Sequence, residues 1–525
     1  MSSESVSEKN TRLITRGKRG LLRVVFSRTG VVALLILLQI GVVVAILRYF
    51  GSYWPHYYAV LSALSLLMGI YLINTDSPSF YKTSWLLFLA LAPVAAVPLY
   101  FYIKLDVGHR RLASRLRKIT QASSHAIPLT AAGRRLKEES PADATLARYL
   151  RDAGGFPVYD RTAVDYYPSG EDFFPAFLEA LESAQRFIFL EYFIIDQGEM
   201  WDKVLEILTR KADRGVDVRL IYDGTCEFFR LPRSYAGSLR ARNIQCHVFA
   251  PVHPFVSTHY NYRDHRKIAV IDGRVAFTGG LNLADEYINR ITLFGHWKDT
   301  AVRLRGEAVK TFTLLFLQLW QMDEKELQFE PYLSAPAEDH PEEPGFVIPY
   351  GDHPLDDQPV GQSVYLHILN QATRYVHIMT PYLILDSELE SALKFAARRG
   401  VEVSVMLPHI PDKKLAFALA KSHYPSLIAA GVKVYEYTPG FVHAKSFVSD
   451  DVRAVVGTIN LDYRSLFHHF ECAAYFYKTA CVAAVEEDYQ KTLKQCRLVT
   501  RKEASHPGFF YRLMGILMKA FAPLM

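Results

Sequence analysis

The chain has 525 residues, of which 50% are hydrophobic and 22% are charged, and its formal net charge is +6. This length predicts two or three domains, and the composition excludes a disordered chain. The five cysteines form no C-x-x-C pair, which argues against both a zinc-ligand framework and a disulfide scaffold.

The positive charge is concentrated in two short segments. Residues 1–30 carry seven Lys or Arg and two Glu, residues 104–118 carry six Lys or Arg and one Asp, and each segment therefore has a charge of +5. The remainder of the chain is slightly acidic. A nucleic-acid-binding protein more often spreads its basic charge over a folded face, so no nucleic-acid partner is expected.

Three apolar runs lie between these basic segments, at residues 31–50, 57–73 and 84–103. Each is near the roughly 20 residues needed to cross a bilayer, and aromatic residues cluster at their ends. After a basic tail (1–30), residues 31–104 are therefore predicted to form a multi-pass membrane region, with buried core helices as the alternative. Both basic segments favour the cytoplasmic side, although three full crossings would separate them. We expect one run to cross incompletely and the catalytic part to face the cytoplasm.

The pattern downstream is typical of an α/β fold. Residues 105–155 are predicted to be a charged, partly helical linker. Within a first half at 156–322, strands are predicted at 187–195 and 216–224, with a helix at 201–215 between them. This order implies sheets flanked by helices. An acidic, proline-rich linker is predicted at 323–360.

The second half, at 361–500, repeats the first. Residues 375–386, 398–408 and 443–451 resemble 186–196, 213–223 and 265–273, with offsets of 185 positions at Arg214/Arg399 and 178 at His265/His443. Nearly constant offsets indicate a duplicated domain. The final segment, 501–525, is amphipathic, and is predicted either to lie in a membrane interface or to pack on the domain.

Each half contains H-x-K-x-x-x-x-D followed by G-x-x-N. Alternate residues of a strand point to one face, so the His and Lys of each motif project together, and two such strands would form a small cationic pocket closed by the asparagines. This pocket suits a phosphodiester. The motif residues are His265, Lys267, Asp272, Gly279 and Asn282, and His443, Lys445, Asp450, Gly457 and Asn460.

Alternatives remain for several polar residues. The two motif aspartates are either part of the site or simple turn residues. Lysine is not a usual metal ligand and the motifs lack clustered carboxylates, so we expect no metal and no other cofactor. The adjacent His468 and His469 are interpreted as incidental, because neighbouring side chains tend to diverge.

The sequence around both motifs resembles the bacterial cardiolipin synthases of the phospholipase D superfamily. The resemblance covers about residues 156–480 and includes NYRDHRKIAVIDG, TGGLNLADEY, GHWKDTAVRLRG, GVKVYEYTPGFVHAKSFVSDD and VGTINLDYRS. It implies a duplicated phospholipase D-like α/β sandwich of two pseudo-twofold halves with N-terminal transmembrane helices. Two positions depart from the family: Asp264 and His469 each stand where the family usually has Asn, and both changes could shift the preferred acceptor.

The resemblance also implies a reaction. A phosphatidyl group would pass between two molecules of phosphatidylglycerol, an anionic phospholipid of the membrane, through a phosphatidyl-histidine, giving cardiolipin and glycerol. His265 is expected to be the nucleophile and His443 the general acid and base, with Lys267 and Lys445 stabilising charge. The alternatives are a phospholipase D-type hydrolase, another phosphatidyltransferase, or a non-catalytic membrane scaffold.

Further residues receive roles by the same resemblance. Asp272 and Asp450 are expected to orient the imidazoles. Asp299 and Glu471 either orient them from outside or are ordinary surface acids. The residues expected to bind substrate are Gly280, Asn282, Thr458 and Asn460.

Overall fold

The computed structural model describes residues 37–42, 44, 45, 48, 54–105, 107–128, 130–251, 262–334 and 340–522. The predicted basic tail and most of the first apolar run lie outside these residues. The chain divides into two compact units: residues 1–110 with 252–260 and 523–525, and residues 111–251 with 261–522. We refer to the second as the catalytic unit.

Between residues 54 and 104 the N-terminal unit forms α1 (Trp54–Ile73), α2 (Ser79–Leu91) and α3 (Pro93–Lys104). Their shared core includes Met68, Trp85 and Tyr100. The apolar run predicted at 84–103 is broken, because Pro93 begins a new helix at a position where its missing N–H is tolerated.

The prediction of membrane-spanning helices is not supported by the described residues. The run at 57–73 lies within α1, which opens with the mixed sequence Trp-Pro-His-Tyr-Tyr. Among the described helices, none combines the length and the hydropathy that a membrane crossing requires.

Residues 105–155, predicted to be a charged, partly helical linker, are helical over most of their length. They form α4 (Val107–Ser123), α5 (Ala132–Glu139) and α6 (Pro141–Gly154). In the catalytic unit Asp143 of α6 is fully buried and accepts hydrogen bonds from Arg453 Nε and Nη2 at 2.8 and 2.7 Å. A buried, bidentate ion pair of this kind fixes α6 to the second half of the chain.

The first half of the catalytic unit forms a seven-stranded sheet in the order β1-β9-β7-β6-β2-β3-β4. The predicted strands at 187–195 and 216–224 are confirmed as β2 (Phe187–Tyr192) and β3 (Asp217–Asp223), and the helix predicted between them is confirmed as α8 (Glu199–Asp213). The strands are β1 (Ala163–Tyr167), β2 (Phe187–Tyr192), β3 (Asp217–Asp223), β4 (Gln245–Phe249), β5 (Arg263–Asp264), β6 (Lys267–Ile271), β7 (Val275–Gly279), β8 (His296–Lys298) and β9 (Ala301–Arg305). The helices are α7 (Gly170–Ser183), α8 (Glu199–Asp213), α9 (Thr225–Phe229), α10 (Tyr235–Arg240), α11 (Val309–Trp320) and α12 (Glu330–Leu333).

The second half forms a larger sheet, in the order β10-β17-β16-β15-β11-β12-β13-β18. The strands are β10 (Phe346–Asp352), β11 (Tyr375–Met379), β12 (Glu402–Pro408), β13 (Lys433–Tyr437), β14 (Gly440–Val442), β15 (Ser446–Ser449), β16 (Arg453–Gly457), β17 (His469–Tyr477) and β18 (Cys496–Leu498). The helices are α13 (Val360–Gln371), α14 (Ser387–Arg398), α15 (Lys414–Ala429), α16 (Tyr463–Phe467), α17 (Ala480–Leu493), α18 (Arg501–Ser505) and α19 (Phe509–Phe521).

The two sheets confirm the internal repeat. The repeated sequences show which strand of the second half corresponds to each strand of the first half. In this correspondence, the first seven strands of the second sheet have the same order as the seven strands of the first sheet. The predicted linker at 323–360 is partly wrong, because β10, an edge strand of the second sheet, lies inside it. Strands β2 and β11 are buried at every residue, as expected for central strands covered on both faces.

Two short strands pair with strands of the opposite half of the catalytic unit. Strand β5 of the first half runs parallel to the start of β17, and β14 of the second half runs parallel to β8. These two exchanges are equivalent under the repeat. They bring the segments that carry both motif histidines to the boundary between the halves.

Candidate active site

Each motif histidine directly follows an exchanged strand. The N–H of His265, after β5, donates to the carbonyl of Phe470 at 2.9 Å, and the N–H of His443, after β14, donates to the carbonyl of Lys298 at 2.7 Å. Each histidine is therefore aligned by main-chain contacts with the opposite half. The residue after each of those carbonyls is an acid.

These two acids orient the histidines. Nδ1 of His265 lies 2.9 and 3.0 Å from the two carboxylate oxygens of Glu471, and Nδ1 of His443 lies 2.6 Å from Oδ2 of Asp299. Both acids are fully buried, so they are not the ordinary surface acids of the alternative interpretation. A carboxylate that accepts from Nδ1 leaves the Nε2 lone pair free for chemistry.

The surroundings of the two carboxylates differ. Glu471 also accepts hydrogen bonds from the hydroxyls of Ser465, at 2.7 Å, and Thr458. Asp299 instead packs against Gly280, where a Cβ would lie 1.9 Å from Oδ1. Gly280 and Thr458 hold equivalent places in the repeat and were expected to bind substrate. Their contacts are with the orienting acids.

The expected role of Asp272 and Asp450 requires correction. Asp272 accepts hydrogen bonds from the N–H groups that precede and begin β2, and Asp450 accepts the corresponding ones before β11. Each aspartate lies five positions after its motif lysine, about 16 Å along a strand, which places it at the far end from the histidine. These aspartates fasten turns to the sheet rather than orienting imidazoles.

The two motif lysines are buried beside the histidines. Each donates to the carbonyl of its own histidine, and Lys445 Nζ also lies 2.9 Å from His443 Nδ1. Burial lowers the pKa of Lys267 to about 8 and that of Lys445 to about 7. Both ammonium groups therefore lose their charge more readily than an exposed lysine.

The histidines are held neutral in this electropositive setting. Burial lowers the pKa of His265 well below its ordinary range, and the charges of Lys267 and Lys445 lower it further. Burial and the Lys445 ammonium likewise lower the pKa of His443 to about 4. Because Lys445 acts on His265 across the halves, the two motifs share one electrostatic field.

The two asparagines of the G-x-x-N segments differ in their contacts. Asn282 accepts from the N–H of Ile194 at 2.9 Å and donates to the Tyr287 hydroxyl at 2.7 Å, so its amide holds a loop. Oδ1 of Asn460 is buried and has no hydrogen-bond partner among the described residues. The expected substrate-binding role therefore fits Asn460 better than Asn282.

His469 is a site neighbour that the sequence interpretation missed. Its ring centroid lies 5.4 Å from that of His265, and its Nδ1 lies 3.6 Å from Oε1 of Glu471. These three side chains offer donor atoms within 4.8 Å of one another, a set of types that zinc uses. The sequence signals were its departure from the usual Asn of the family and its place two residues before Glu471, on the same face of β17.

Comparison with known proteins identifies the family. A family model described as "Cardiolipin synthase, PLD-like domain" matches residues 177–320 and 365–493, which include both motifs. The chain belongs to the cardiolipin synthase family. Like other members of this family within the phospholipase D superfamily, it is a phosphatidyltransferase.

Individual proteins are also similar to this chain. A cardiolipin synthase of Halalkalibacterium halodurans is 32% identical over 95% of this chain and 100% of its own length. An uncharacterized protein of Streptococcus mutans is 52% identical over 87% of this chain and 99% of its own length. The crystal structure of a phosphatidylserine synthase of Haemophilus influenzae shares the fold, with a TM-score of 0.56 and 15% identity over 72% of this chain and 97% of that one.

Proposed function

We propose that this cardiolipin synthase transfers a phosphatidyl group from one phosphatidylglycerol to another through a covalent intermediate on His265. The supporting observation is the crossed pair of histidine–carboxylate contacts, which leaves Nε2 of each histidine free for chemistry, with a buried motif lysine two residues along the chain from each. Phosphoryl transfer depends mainly on such positioning and charge stabilisation.

In the first step Nε2 of His265 attacks the phosphorus of the donor lipid. The bond between phosphorus and the headgroup glycerol oxygen breaks, and protonated His443 gives its Nε2 proton to that oxygen. Glycerol leaves, and the phosphatidyl group is bound to His265. Glu471 stabilises the positive charge that develops on this imidazole.

In the second step the primary hydroxyl of another phosphatidylglycerol attacks the same phosphorus. Neutral His443 accepts the hydroxyl proton, the N–P bond breaks, and the electron pair returns to His265. Lys267 and Lys445 stabilise charge on the non-bridging oxygens in both steps. Cardiolipin is released, and His443 is again protonated.

The first step requires a proton on His443, whose pKa is about 4 in the free enzyme because of burial and the neighbouring Lys445. A bound phosphodiester carries a negative charge that offsets the lysine charges. We therefore expect substrate binding to raise the pKa of His443, so that the enzyme–lipid complex takes up a proton that the free enzyme does not hold.

The test uses the full chain and vesicles that contain phosphatidylglycerol labelled in its phosphate. We expect the wild type to form cardiolipin and glycerol, His265→Ala to form neither, and acid quenching of the wild type during turnover to trap label on His265. A matched control is His423→Asn, since His423 is a buried histidine on α15 that pairs with Glu390.

Other outcomes would contradict the proposal in identifiable ways. Label on His443 of the native enzyme would reverse the two roles. Phosphatidic acid as the sole product would indicate hydrolysis, and no turnover of any lipid would indicate a scaffold.

We further propose that α19 places the catalytic unit on an anionic membrane surface. One side of α19 packs on α15, where a Cβ at Gly515 would lie 3.0 Å from the Ala418 carbonyl. Residues 509–521 contain Arg512 and Lys519 but no acid, which suits an anionic surface. The exposed apolar side chains of α19 are Phe509, Phe510, Leu513, Ile516 and Leu517.

The sidedness of this membrane contact is proposed from charge alone. The basic segments at 1–30 and 104–118 favour the cytoplasmic side. We propose that the catalytic unit faces the cytoplasm and that the apolar runs of residues 31–104 associate with the bilayer.

A further inference from the structure

His469 lies at the start of β17, where it pairs with Arg263 of the exchanged strand β5. Its side chain is 10% exposed. Since His469 and Glu471 are two residues apart on one strand, both project toward His265. The position thus gives His469 access to the carboxylate that orients the proposed nucleophile.

The hydrogen bonds of His469 define its tautomer. Nε of Arg464 donates to Nε2 of His469 at 3.2 Å, and a guanidinium can only donate. Nε2 is therefore the acceptor, and the ring proton lies on Nδ1. Burial and the Arg464 charge hold the pKa of His469 well below its ordinary range, so the ring is neutral.

The proton on Nδ1 has an evident acceptor. Nδ1 is buried without a hydrogen bond among the described residues, and Oε1 of Glu471 lies 3.6 Å away. That distance is longer than a hydrogen bond, but such contacts often tighten when substrate fills an active site. Glu471 already accepts from His265, Ser465 and Thr458.

We propose that His469 is a positioning residue for transfer, whose Nδ1–H becomes a further donor to Glu471 and thereby fixes His265. This inference rests on the proposed function, in which His265 is the nucleophile. A carboxylate whose oxygens accept several hydrogen bonds keeps its plane. Nε2 of His265 then points at the phosphorus with little freedom to turn away.

The chemistry of this contact predicts which substitutions are tolerated. The amide nitrogen of Asn is attached to Cγ, as Nδ1 is in His, so His469→Asn keeps a donor in nearly the same place. Asp has the same shape but only accepts hydrogen bonds, and it would add a negative charge beside Glu471. Leu offers no donor.

The experiment compares kcat and KM of these variants on phosphatidylglycerol vesicles. We expect His469→Leu and His469→Asp to lower kcat about 10- to 100-fold, the range typical for residues that orient a reacting ligand, with KM changed less than about threefold. His469→Asn should stay within about threefold of the wild type. His423→Asn controls for the loss of a buried histidine elsewhere in the same half.

Three outcomes would overturn the inference. The first is full activity of His469→Leu, and the second is equal activity of the Asn and Asp variants. The third is a loss of wild-type activity, on addition of a chelator, that equals the loss caused by His469→Leu. The last would mean that His265, His469 and Glu471 act through a metal. A wild type that makes no cardiolipin would instead refute the proposed function, so the two failures are distinguishable.

Discussion

At the scale of single residues, the site is defined by carboxylates that reach across the halves. Glu471 and Asp299 each lie within 3 Å of the Nδ1 of the opposite histidine. An acid in this place fixes the tautomer and stabilises the imidazolium that forms during transfer. Removal of its charge should therefore affect the chemical step more than lipid binding.

We predict that Glu471→Gln and Asp299→Asn each lower kcat by about 10²- to 10⁴-fold and leave KM within a few fold. The amide keeps the shape but not the charge, and it allows the wrong tautomer. Steady-state kinetics on mixed vesicles would measure both constants. A predominant effect on KM would instead assign these acids to substrate binding.

The pH profile should report the buried lysines. Positive charge is lost as pH rises through the pKa, which burial lowers to about 7 for Lys445 and about 8 for Lys267. Because transfer needs a proton on His443 that the free enzyme takes up on binding lipid, kcat/KM should already decline as pH rises. We predict that this decline becomes steeper from about pH 7 upward, as the free enzyme loses the lysine charge that binds phosphate.

Lys445→Arg separates the two lysines in this profile. A guanidinium keeps its charge throughout this range, so the fall of kcat/KM at alkaline pH should shift to higher pH, toward the pKa of Lys267. The absolute rate should be lower, because the guanidinium and the ammonium differ in geometry. If kcat/KM of Lys445→Arg falls over the same pH range as that of the wild type, the fall is not caused by Lys445.

At the scale of elements, Asp450 shows how a motif residue can serve the fold. Its carboxylate accepts three backbone N–H groups and the Thr373 hydroxyl ahead of β11. We predict that Asp450→Asn lowers the free energy of unfolding by about 2–4 kcal/mol, because each charge-assisted bond contributes about 1.5–3 kcal/mol and the amide retains part of them. Chemical denaturation would measure this loss.

The turnover of folded Asp450→Asn should remain near that of the wild type at a temperature well below its unfolding transition. A large fall in kcat without a fall in stability would return Asp450 to a direct role in catalysis.

The helix α19 provides a prediction on membrane contact. Replacing Phe509 and Ile516, which are 83% and 64% exposed, by serine should weaken binding to phosphatidylglycerol vesicles, because both lose apolar area that the bilayer would bury. Vesicle co-sedimentation measures the effect. The matched control is Phe229→Ser on α9, which is 57% exposed but lies elsewhere. Equal loss in both variants would argue against α19 as the contact.

The sequence predicted local features well and long-range ones poorly. Periodicity located β2, α8 and β3, and the repeat identified the paired motifs, because these signals depend on neighbouring residues. The partners of the histidines could not be predicted, since β5 and β14 exchange between sheets and place Glu471 206 positions from His265. The same limit explains why Asp272 was given an orienting role and His469 was dismissed.

At the scale of the whole molecule, the exchange of strands makes the two halves dependent on each other. The first half contributes His265, Lys267 and Asp299, and the second contributes His443, Lys445 and Glu471. Separated, each histidine would lose its orienting acid and the pocket would lose one of its two ammonium groups. Neither half should therefore be active alone, although each contains a complete H-x-K-x-x-x-x-D motif.

We predict that a chain divided between Ser334 and His340 regains transferase activity only when the two fragments are co-expressed. The exchanged strands, together with buried contacts such as the 2.7 Å ion pair between Lys298 and Asp488, would hold the fragments together. Co-purification and cardiolipin formation measure the two parts of this prediction. Pairing a Glu471→Gln fragment with its wild-type partner should reproduce the defect of the intact Glu471→Gln enzyme. An isolated fragment that forms cardiolipin would show instead that one motif suffices, and that the crossed geometry is not needed for catalysis.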